Sequence, residues 1–338
     1  MITIMENETN KIKNEGLTVL SLFDGISCCL LALEKNNIKL KDYYSSEIDK
    51  HALMIQKTNL SADTRFHQIG DVRDIKGVDY ANINLICAGS PCTQLSAINS
   101  KDRSGLDGEE SSLFYEFIRI IKEIRAARTT NKPLQVLLEN VWSMKKSEKE
   151  KITKALSEAM EVDIEPIFID SAIVAPAHRR RLYWTNIPYT PIKPIDIKFQ
   201  DIVKNGWVNK EKANVVLSGQ LTLTSGLERY FKMNVGNVIY LDDEFGAQGE
   251  LTQLTQYSML LKNSGYNWKE HRGNNDEYAF NNDCYRVPSV AECEALMTIP
   301  EGWVSNVFGV SKTAKYKAIG LSMTVDVIAH LLSPFRII

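Results

Sequence analysis

Short apolar runs alternate with helical segments along the first half of the chain, and this alternation constrains the fold more than any other feature. Apolar runs lie at residues 17–23, 84–88 and 134–138, and a longer segment with helical periodicity lies at 111–127. Apolar strands that alternate with helices are typical of a parallel sheet covered on both faces. The pattern therefore predicts a doubly wound α/β sheet with right-handed crossovers.

Length and composition are those of a globular protein with room for two domains. The 338 residues are 44% hydrophobic and 24% charged, with a formal net charge of −2. No apolar run approaches the roughly 18 residues that a transmembrane helix needs. The alternation stops at a proline-containing stretch, 188–194, after which Asn, Gly, Thr and Tyr become frequent. We therefore predict one domain of residues 1–195 and 286–338 and a smaller domain of residues 196–285.

The cysteines do not follow a metal-binding spacing. The chain has six cysteines and no Cys-x-x-Cys pair, so we expect no structural metal site. The first 16 residues are polar and lack the apolar segment of a signal peptide. Free thiols without an export signal are typical of a reducing compartment, so we expect a cytoplasmic protein that does not associate with membranes.

Acidic residues recur directly after the predicted strands. In doubly wound sheets, ligands bind beyond the carboxyl ends of the strands. Asp24 and Gly25 follow the first strand, Glu47 ends the second, and Asp71 follows a third. An acid about 20 residues after the first turn commonly binds a ribose. Because the first turn lacks Gly-x-Gly-x-x-Gly, a nucleoside without phosphates fits better than a dinucleotide. Ordinary turn residues are the alternative interpretation.

Three further groups of residues are predicted at the same edge of the sheet. Cys92 follows Gly-Ser-Pro, and a nucleophilic cysteine needs partial exposure and a stabilised thiolate; a buried structural cysteine is the alternative. Glu139 comes after the strand 134–138, where its carboxylate needs a partner, such as a salt bridge. Arginines 179–181 precede a strand and form either a phosphate-binding patch or a solvated basic face.

These segments resemble the motifs of the DNA (cytosine-5) methyltransferase family, in the order in which that family carries them. The motifs lie at residues 20–27 (LSLFDGIS), 89–92 (GSPC), 139–141 (ENV), 179–184 (RRRLYW), 286–292 (RVPSVAE) and 320–325 (GLSMTV). Their wording is most similar to the de novo branch and its bacterial and phage relatives. The resemblance implies a Rossmann-like methyltransferase domain dependent on S-adenosylmethionine, with a smaller target-recognition domain at 196–285.

The resemblance also implies a mechanism, in which a methyl group is transferred to C5 of a cytosine flipped out of double-stranded DNA. Cys92 would attack C6 of the base, and Glu139 would hold its N3 and exocyclic amine. Arg181, together with Arg179, would bind the base carbonyl and an adjacent phosphate. The polar loop 96–110 would close over the DNA.

The cofactor residues are implied in the same way. Phe23 would lie on the adenine side of S-adenosylmethionine and residues 24–26 on the methionine side. Glu47 would bind the ribose hydroxyls, and Asp71 the adenine amine. The full set of implied cofactor-binding residues is Phe23, Asp24, Gly25, Ile26, Glu47, Asp71, Val72, Pro91, Leu113 and Ser322.

The sequence departs from the family pattern at three positions and leaves two other functions open. Cys29 replaces a small Gly, Thr93 replaces a Gln or Asn, and Leu321 replaces the Asn of Gly-Asn-Ser.

A tRNA cytosine-5 methyltransferase of the same fold would carry Cys-Phe-Thr in its small domain, where this chain has Cys284. A catalytically inactive DNA-binding regulatory subunit is the other alternative, although the nucleophile and the cofactor acids are present.

The charge of the predicted target-recognition domain bears on how the protein would hold DNA. Residues 196–285 contain nine Lys or Arg and twelve Asp or Glu, a net charge of −3. Phosphate contacts are therefore expected from basic residues of the catalytic domain. The candidates form two groups, Arg119, Lys122, Arg125 and Arg128 in the first and Lys145, Lys146 and Lys149 in the second. The alternative interpretation is that both groups are solvated helix faces. We expect a bacterial or phage-encoded monomer, either an orphan enzyme or the partner of a restriction endonuclease.

Overall fold

The computed structural model describes residues 16–91, 106, 113–217, 230, 234–241 and 285–336. By its internal contacts the chain divides into two units. The first consists of Met1–Asp170, Arg180–Ile192 and Ser322–Ile338, and the second of Ser171–Arg179 and Lys193–Leu321. This division by packing places residues 286–321 with the second unit. The functional division at 195 and 286 stays a prediction.

A seven-stranded sheet organises the first unit. Its strands are β1 (Leu17–Leu22), β2 (Leu40–Ser46), β3 (Phe66–Gln68), β4 (Leu85–Gly89), β5 (Gln135–Val141), β6 (Ile167–Asp170) and β7 (Arg180–Thr185). Their order is β3-β2-β1-β4-β5-β7-β6. β1 pairs in parallel with both β2 and β4, so the strand order reverses there and creates a switch point at the carboxyl ends. β7 is antiparallel to β5 and β6, which corrects the expectation of a wholly parallel sheet.

Seven helices are present in the described residues. They are α1 (Cys28–Lys35), α2 (Lys50–Leu60), α3 (Phe114–Ala127), α4 (Lys146–Met160), α5 (Val290–Leu296), α6 (Lys312–Leu321) and α7 (Val325–Leu331). α3 buries Phe114, Phe117, Ile118 and Ile121, which recur at helical spacing, against apolar residues of the central strands. α7 packs on α1, where the side chain of Asn36 donates a hydrogen bond to the carbonyl of Ala329 at 2.6 Å.

The second unit is built around α5 and α6 and a short antiparallel pair, β8 (Ile239–Tyr240) with β9 (Tyr285–Arg286). A capping box of Ser289 and Glu292 begins α5. The guanidinium of Arg286 contacts the nearly buried carboxylate of Glu292 at 2.6 Å. The sequence analysis did not predict α6.

The described part of the chain holds no helix long and apolar enough to cross a membrane. Over the same residues, no group of three or more His, Cys, Asp or Glu side chains could hold a metal ion. The described cysteines Cys28, Cys29, Cys87 and Cys293 are buried.

Candidate active site

The turn between β1 and α1 has an unusual backbone conformation. Phe23, Gly25 and Ser27 have φ angles of 55°, 59° and 65°. Non-glycine residues in this left-handed region are uncommon, and such strain clusters at functional sites. A Cβ atom on Gly25 would meet no other atom within 4 Å, so the turn faces open space. Ser27 is the N-cap residue of α1, but its hydroxyl donates to Asp24 instead of accepting from the helix.

Asp24 is the centre of a buried hydrogen-bond network beneath this turn. Its carboxylate accepts hydrogen bonds at 2.5–3.1 Å from the side chains of Ser21, Ser27, Tyr43, Ser45 and Gln56. Burial raises the pKa of Asp24, and the hydrogen bonds from the hydroxyls only partly oppose this shift. Both oxygens are engaged inside the protein, so we infer that the side chain of Asp24 positions the turn.

The sequence analysis did not identify the partners of Asp24. Tyr43 and Ser45 alternate along β2, so their side chains share one face, and Gln56 comes from α2. Gln56 also donates to the carbonyl of Gly25 at 2.9 Å. The sequence signal that could have identified them is the presence of polar residues at alternate, buried positions of β2.

Glu47 connects the end of β2 to the same turn. Its Oε2 accepts a hydrogen bond from the backbone N–H of Gly25 at 2.7 Å. Its Oε1 accepts from the N–H groups of Ile48 and Asp49 at 2.8 and 2.7 Å. Burial raises the pKa of Glu47 more than these bonds lower it. A carboxylate offers about four acceptor positions, so three backbone bonds leave room for a hydroxyl donor.

Asp71 lies after β3 and caps a short 3₁₀ helix (Val72–Asp74). Its Oδ1 accepts from the backbone N–H of Arg73 at 2.9 Å, and the Arg73 guanidinium pairs with its Oδ2. The side-chain hydrogen bond from Arg73 lowers the pKa of Asp71. An incoming amine would therefore share this carboxylate with Arg73. Val72 is buried in the core, and Gly70 beside it faces open space.

The parallel pairing of β4 and β5 places the predicted nucleophile segment beside Glu139. Gly89 and Glu139 are register partners. Asn140 donates from Nδ2 to the hydroxyl of Ser90 at 3.0 Å and so ties the turn after β4 to β5. Cys92 comes two residues after this anchored position and, like Thr93, lies outside the described residues.

Glu139 and Arg181 form an ion pair on one face of the sheet. Arg181 Nε lies 2.8 Å from Glu139 Oε1, and the two side chains are only 14% and 10% exposed. In the antiparallel β5–β7 ladder, Arg181 is opposite Val141 and Glu139 is opposite Tyr183, so the pair is diagonal. β5 continues to Val141, so Glu139 lies within the strand and not after it as predicted. The salt bridge that the sequence analysis left open for Glu139 is present.

Arg179 belongs to the second unit and is almost completely buried, with 4% exposure. Its Nη1 donates to the carbonyl of Gly320, near the end of α6, at 3.1 Å. This contact makes Arg179 a positioning residue for the Gly320–Leu321 segment. Contact between Arg179 and a base stays a prediction. Leu321, the departure from Gly-Asn-Ser, is 60% exposed.

The other predicted cofactor residues occupy the first unit. Ile26 and Ser322 are buried. Pro91 is half-buried, and Leu113 is the N-cap of α3 and packs against the core. The Cys29 departure brings its Sγ within 2.8 Å of the Sγ of Cys87 in β4, which packs α1 closely on the sheet.

The arginines of α3 make contacts inside the first unit. Arg119 pairs with Glu116 and Glu123, Arg125 pairs with Glu161, and Arg128 donates to backbone carbonyls. These contacts favour a structural role for the α3 arginines over the alternative of phosphate binding. Lys145 and Lys146 are exposed where α4 begins, and Lys146 pairs with Glu150 at 3.7 Å.

Comparison with known proteins agrees with this geometry. The family model of the C-5 cytosine-specific DNA methylases matches residues 17–335. The chain belongs to this family. S-adenosylmethionine is the methyl donor of the family, and the residues described above fit it: Glu47 retains acceptor capacity, and the turns at Gly25 and Gly70 face open space.

Curated relatives share segments of similar sequence with this chain, and a solved structure shares its fold. The chain is 35% identical over 121 residues to "DNA (cytosine-5)-methyltransferase DRM2" of Arabidopsis thaliana, covering 33% of this chain and 19% of the relative. It is 31% identical over 175 residues to "Type II methyltransferase M1.ScrFI" of Lactococcus lactis subsp. cremoris, covering 51% and 41%. The chain thus spans less than half the length of these curated relatives. The structure of Entamoeba histolytica methyltransferase EhMeth has a TM-score of 0.64 at 13% identity, covering 95% of this chain and 98% of that one.

Proposed function

We propose that the protein transfers a methyl group from S-adenosylmethionine to C5 of cytosine in double-stranded DNA. The observation that carries the proposal is the Glu139–Arg181 pair, held beside the turn that leads to Cys92. Family membership supports the reaction class, and the printed names of DRM2 and M1.ScrFI support the substrate.

Each residue has a distinct part in this proposal. The thiolate of Cys92 adds to C6 of the base and forms a C–S bond. Glu139 accepts a hydrogen bond from the exocyclic amine and stabilises the protonated N3. The Arg181 guanidinium, fixed in direction by Glu139, donates to the base carbonyl.

The remaining steps restore both the base and the enzyme. When bound, S-adenosylmethionine would supply a methyl group from its sulfonium and would leave as the neutral thioether. C5, made nucleophilic by the addition at C6, would accept that methyl group. A base then removes the C5 proton, and the electron pair released expels the Cys92 thiolate. The cytosine must leave the helix first, because C6 is not accessible inside a duplex, and this unstacking costs a few kcal/mol.

We further propose a role for the smaller domain, an oligomeric state and a cellular setting. Residues 196–285 act as the target-recognition domain, and the protein acts as a monomer in the cytoplasm of a bacterium or of a phage-infected cell. M1.ScrFI is named a Type II methyltransferase, which supports a protecting role beside a restriction endonuclease; an orphan role is the other form of the proposal. A light-scattering mass of 38.2 kDa is expected for the monomer, and twice that mass would contradict it.

Transfer of tritiated methyl groups tests the proposal. The wild-type protein should label plasmid DNA and leave tRNA unlabelled, and Cys92→Ser should abolish the labelling. Cys293→Ser is a matched control, since Cys293 is buried in the second unit. Labelling of tRNA alone would favour the tRNA methyltransferase. DNA binding without any labelling or cofactor binding would favour the inactive regulatory subunit.

A further inference from the structure

Three exposed side chains form a patch at one edge of the sheet in the first unit. We call Trp142, Phe168 and Arg180 the aromatic–cation patch. Trp142 is 48% exposed and Phe168 is 53% exposed, and their ring centroids lie 6.1 Å apart. The guanidinium carbon of Arg180 lies 5.7 Å from the centroid of the Trp142 ring. Adjacent exposed aromatic side chains of this size indicate a binding surface better than scattered single residues do.

The patch is close to the proposed catalytic pair but on the other face of the sheet. Arg180 precedes Arg181 in β7, and successive side chains of a strand point to opposite faces. Trp142 comes directly after β5, three residues beyond Glu139, which corresponds to about 10 Å along a strand. A nucleic-acid strand that delivers a base to Glu139 and Arg181 would therefore pass within reach of the patch.

The charges around the patch complement a phosphate backbone. Lys145 and Lys146 are exposed where α4 begins, three and four residues after Trp142. In the first turn of α4, Glu148 accepts a hydrogen bond from the backbone N–H of Leu106 at 2.8 Å. Leu106 belongs to the segment 96–110, which the sequence analysis predicts to close over DNA. The start of α4 thus connects the patch to that segment.

The size of the patch argues against a protein partner. A buried aromatic side chain contributes 150–250 Å², so two half-exposed rings offer roughly 200 Å². A stable protein interface needs about 800 Å² from each partner. A single nucleobase, in contrast, needs only one flat aromatic face and one cation.

We propose that the aromatic–cation patch binds the DNA strand next to the flipped cytosine. An unstacked base lies on the indole of Trp142, and the neighbouring phosphate contacts Arg180, which also stays 3.1 Å from Asp170. This assignment rests on the proposed function, because it takes the substrate strand to be DNA. It adds Trp142, which lies outside the motifs, and gives the phosphate contact to Arg180.

Steady-state methyl transfer to plasmid DNA tests the patch. Trp142→Ala should raise KM for DNA about 5- to 150-fold, the range measured for one stacked base, with cofactor affinity unchanged by calorimetry. Trp142→Phe should restore most of the loss, because a benzene ring still stacks. Arg180→Gln should weaken DNA binding and flatten its salt dependence.

A matched control and the thermal midpoint separate binding from folding. Tyr189 is 39% exposed and lies four residues beyond the end of β7, whose first residue is Arg180, so Tyr189→Ala should leave KM for DNA unchanged. If the wild type methylates DNA and a folded Trp142→Ala protein has the same KM for DNA, only the assignment of the patch is overturned. A wild-type protein that does not methylate DNA would overturn both proposals. A wild-type dimer that Trp142→Ala converts to monomer would identify a second copy as the occupant, which also refutes the assignment.

Discussion

Replacing Asp24 with alanine and with asparagine tests whether the network beneath the β1–α1 turn acts as inferred. Asp24→Ala removes the acceptor shared by five buried donors. Serine hydroxyls can rotate to new acceptors, and the Gln56 amide keeps the carbonyl of Gly25, but the buried Tyr43 hydroxyl loses its acceptor. An unsatisfied buried donor costs about 1–3 kcal/mol. We expect Asp24→Ala to lower the free energy of unfolding by about 1–3 kcal/mol, since this one donor is left without the carboxylate.

Asp24→Asn should be much milder, because burial raises the pKa of Asp24 and the site therefore favours an uncharged side chain. The sign follows from linkage. A carboxyl whose folded pKa exceeds its unfolded value of 3.8 contributes most stability below pH 3.8 and loses it as the pH rises through the folded pKa. The wild type should therefore gain stability relative to Asp24→Asn as the pH falls from neutral.

Urea unfolding of the three proteins at neutral pH and at pH 4 measures both effects. Asp42→Ala is the control, because Asp42 lies on β2 next to the network residue Tyr43 and makes a half-exposed pair with His67 at 3.1 Å. Its cost should stay within about 1 kcal/mol. The reasoning is refuted if Asp24→Ala costs no more than Asp42→Ala, or if Asp24→Asn costs as much as Asp24→Ala at neutral pH.

Three other substitutions have defined outcomes. Burial alone would raise the pKa of Glu292, but hydrogen bonds from Arg286 and Ser289 hold this pKa below 4.5. The stability that the Glu292 carboxylate contributes is therefore present above pH 4.5 and lost in acid. Glu292→Gln should cost roughly 2–4 kcal/mol in urea unfolding, and this cost should shrink as the pH falls. Asn140→Ala should lower kcat about 10- to 100-fold in single-turnover methyl transfer without changing cofactor affinity, and an unchanged kcat would contradict its positioning role. Gly77→Ala would place a Cβ 2.6 Å from the Ile120 carbonyl, so thermal unfolding should report a loss of about 1–3 kcal/mol.

The sheet could be predicted largely from the sequence because its central strands are buried. β1, β4 and β5 begin within one residue of the predicted apolar runs. The direction of β7 could not be predicted, since a short apolar run carries no information on strand polarity. α6 was missed because its sequence, KTAKYKAIGL, is mostly polar or small and buries only Ala314, Tyr316, Ile319 and Gly320.

The candidate site was predicted in position but not in internal contacts. Glu47 and Asp71 lie at strand ends as expected. The sequence did not show that the carboxylate of Asp24 accepts hydrogen bonds from Tyr43 and Ser45, which it does because the parallel register of β1 and β2 brings that face of β2 against the turn. The assignment of Asp24 to the methionine side of the cofactor stays a prediction. Register is a tertiary property that the spacing of one strand does not determine. Arg119 could not be distinguished from a phosphate ligand until its carboxylate partners on α3 were located.

Bisulfite sequencing tests the central claim most directly. A plasmid is incubated with S-adenosylmethionine and either the wild-type protein, Cys92→Ser or Glu139→Gln, and every cytosine is read. The wild type should protect cytosines in one short sequence context, and Cys92→Ser should protect none. Glu139→Gln should protect the same context at least 100-fold more slowly, because the base loses a charged partner. Full protection by Cys92→Ser, or no protected context with the wild type, would contradict the proposed cytosine-5 chemistry.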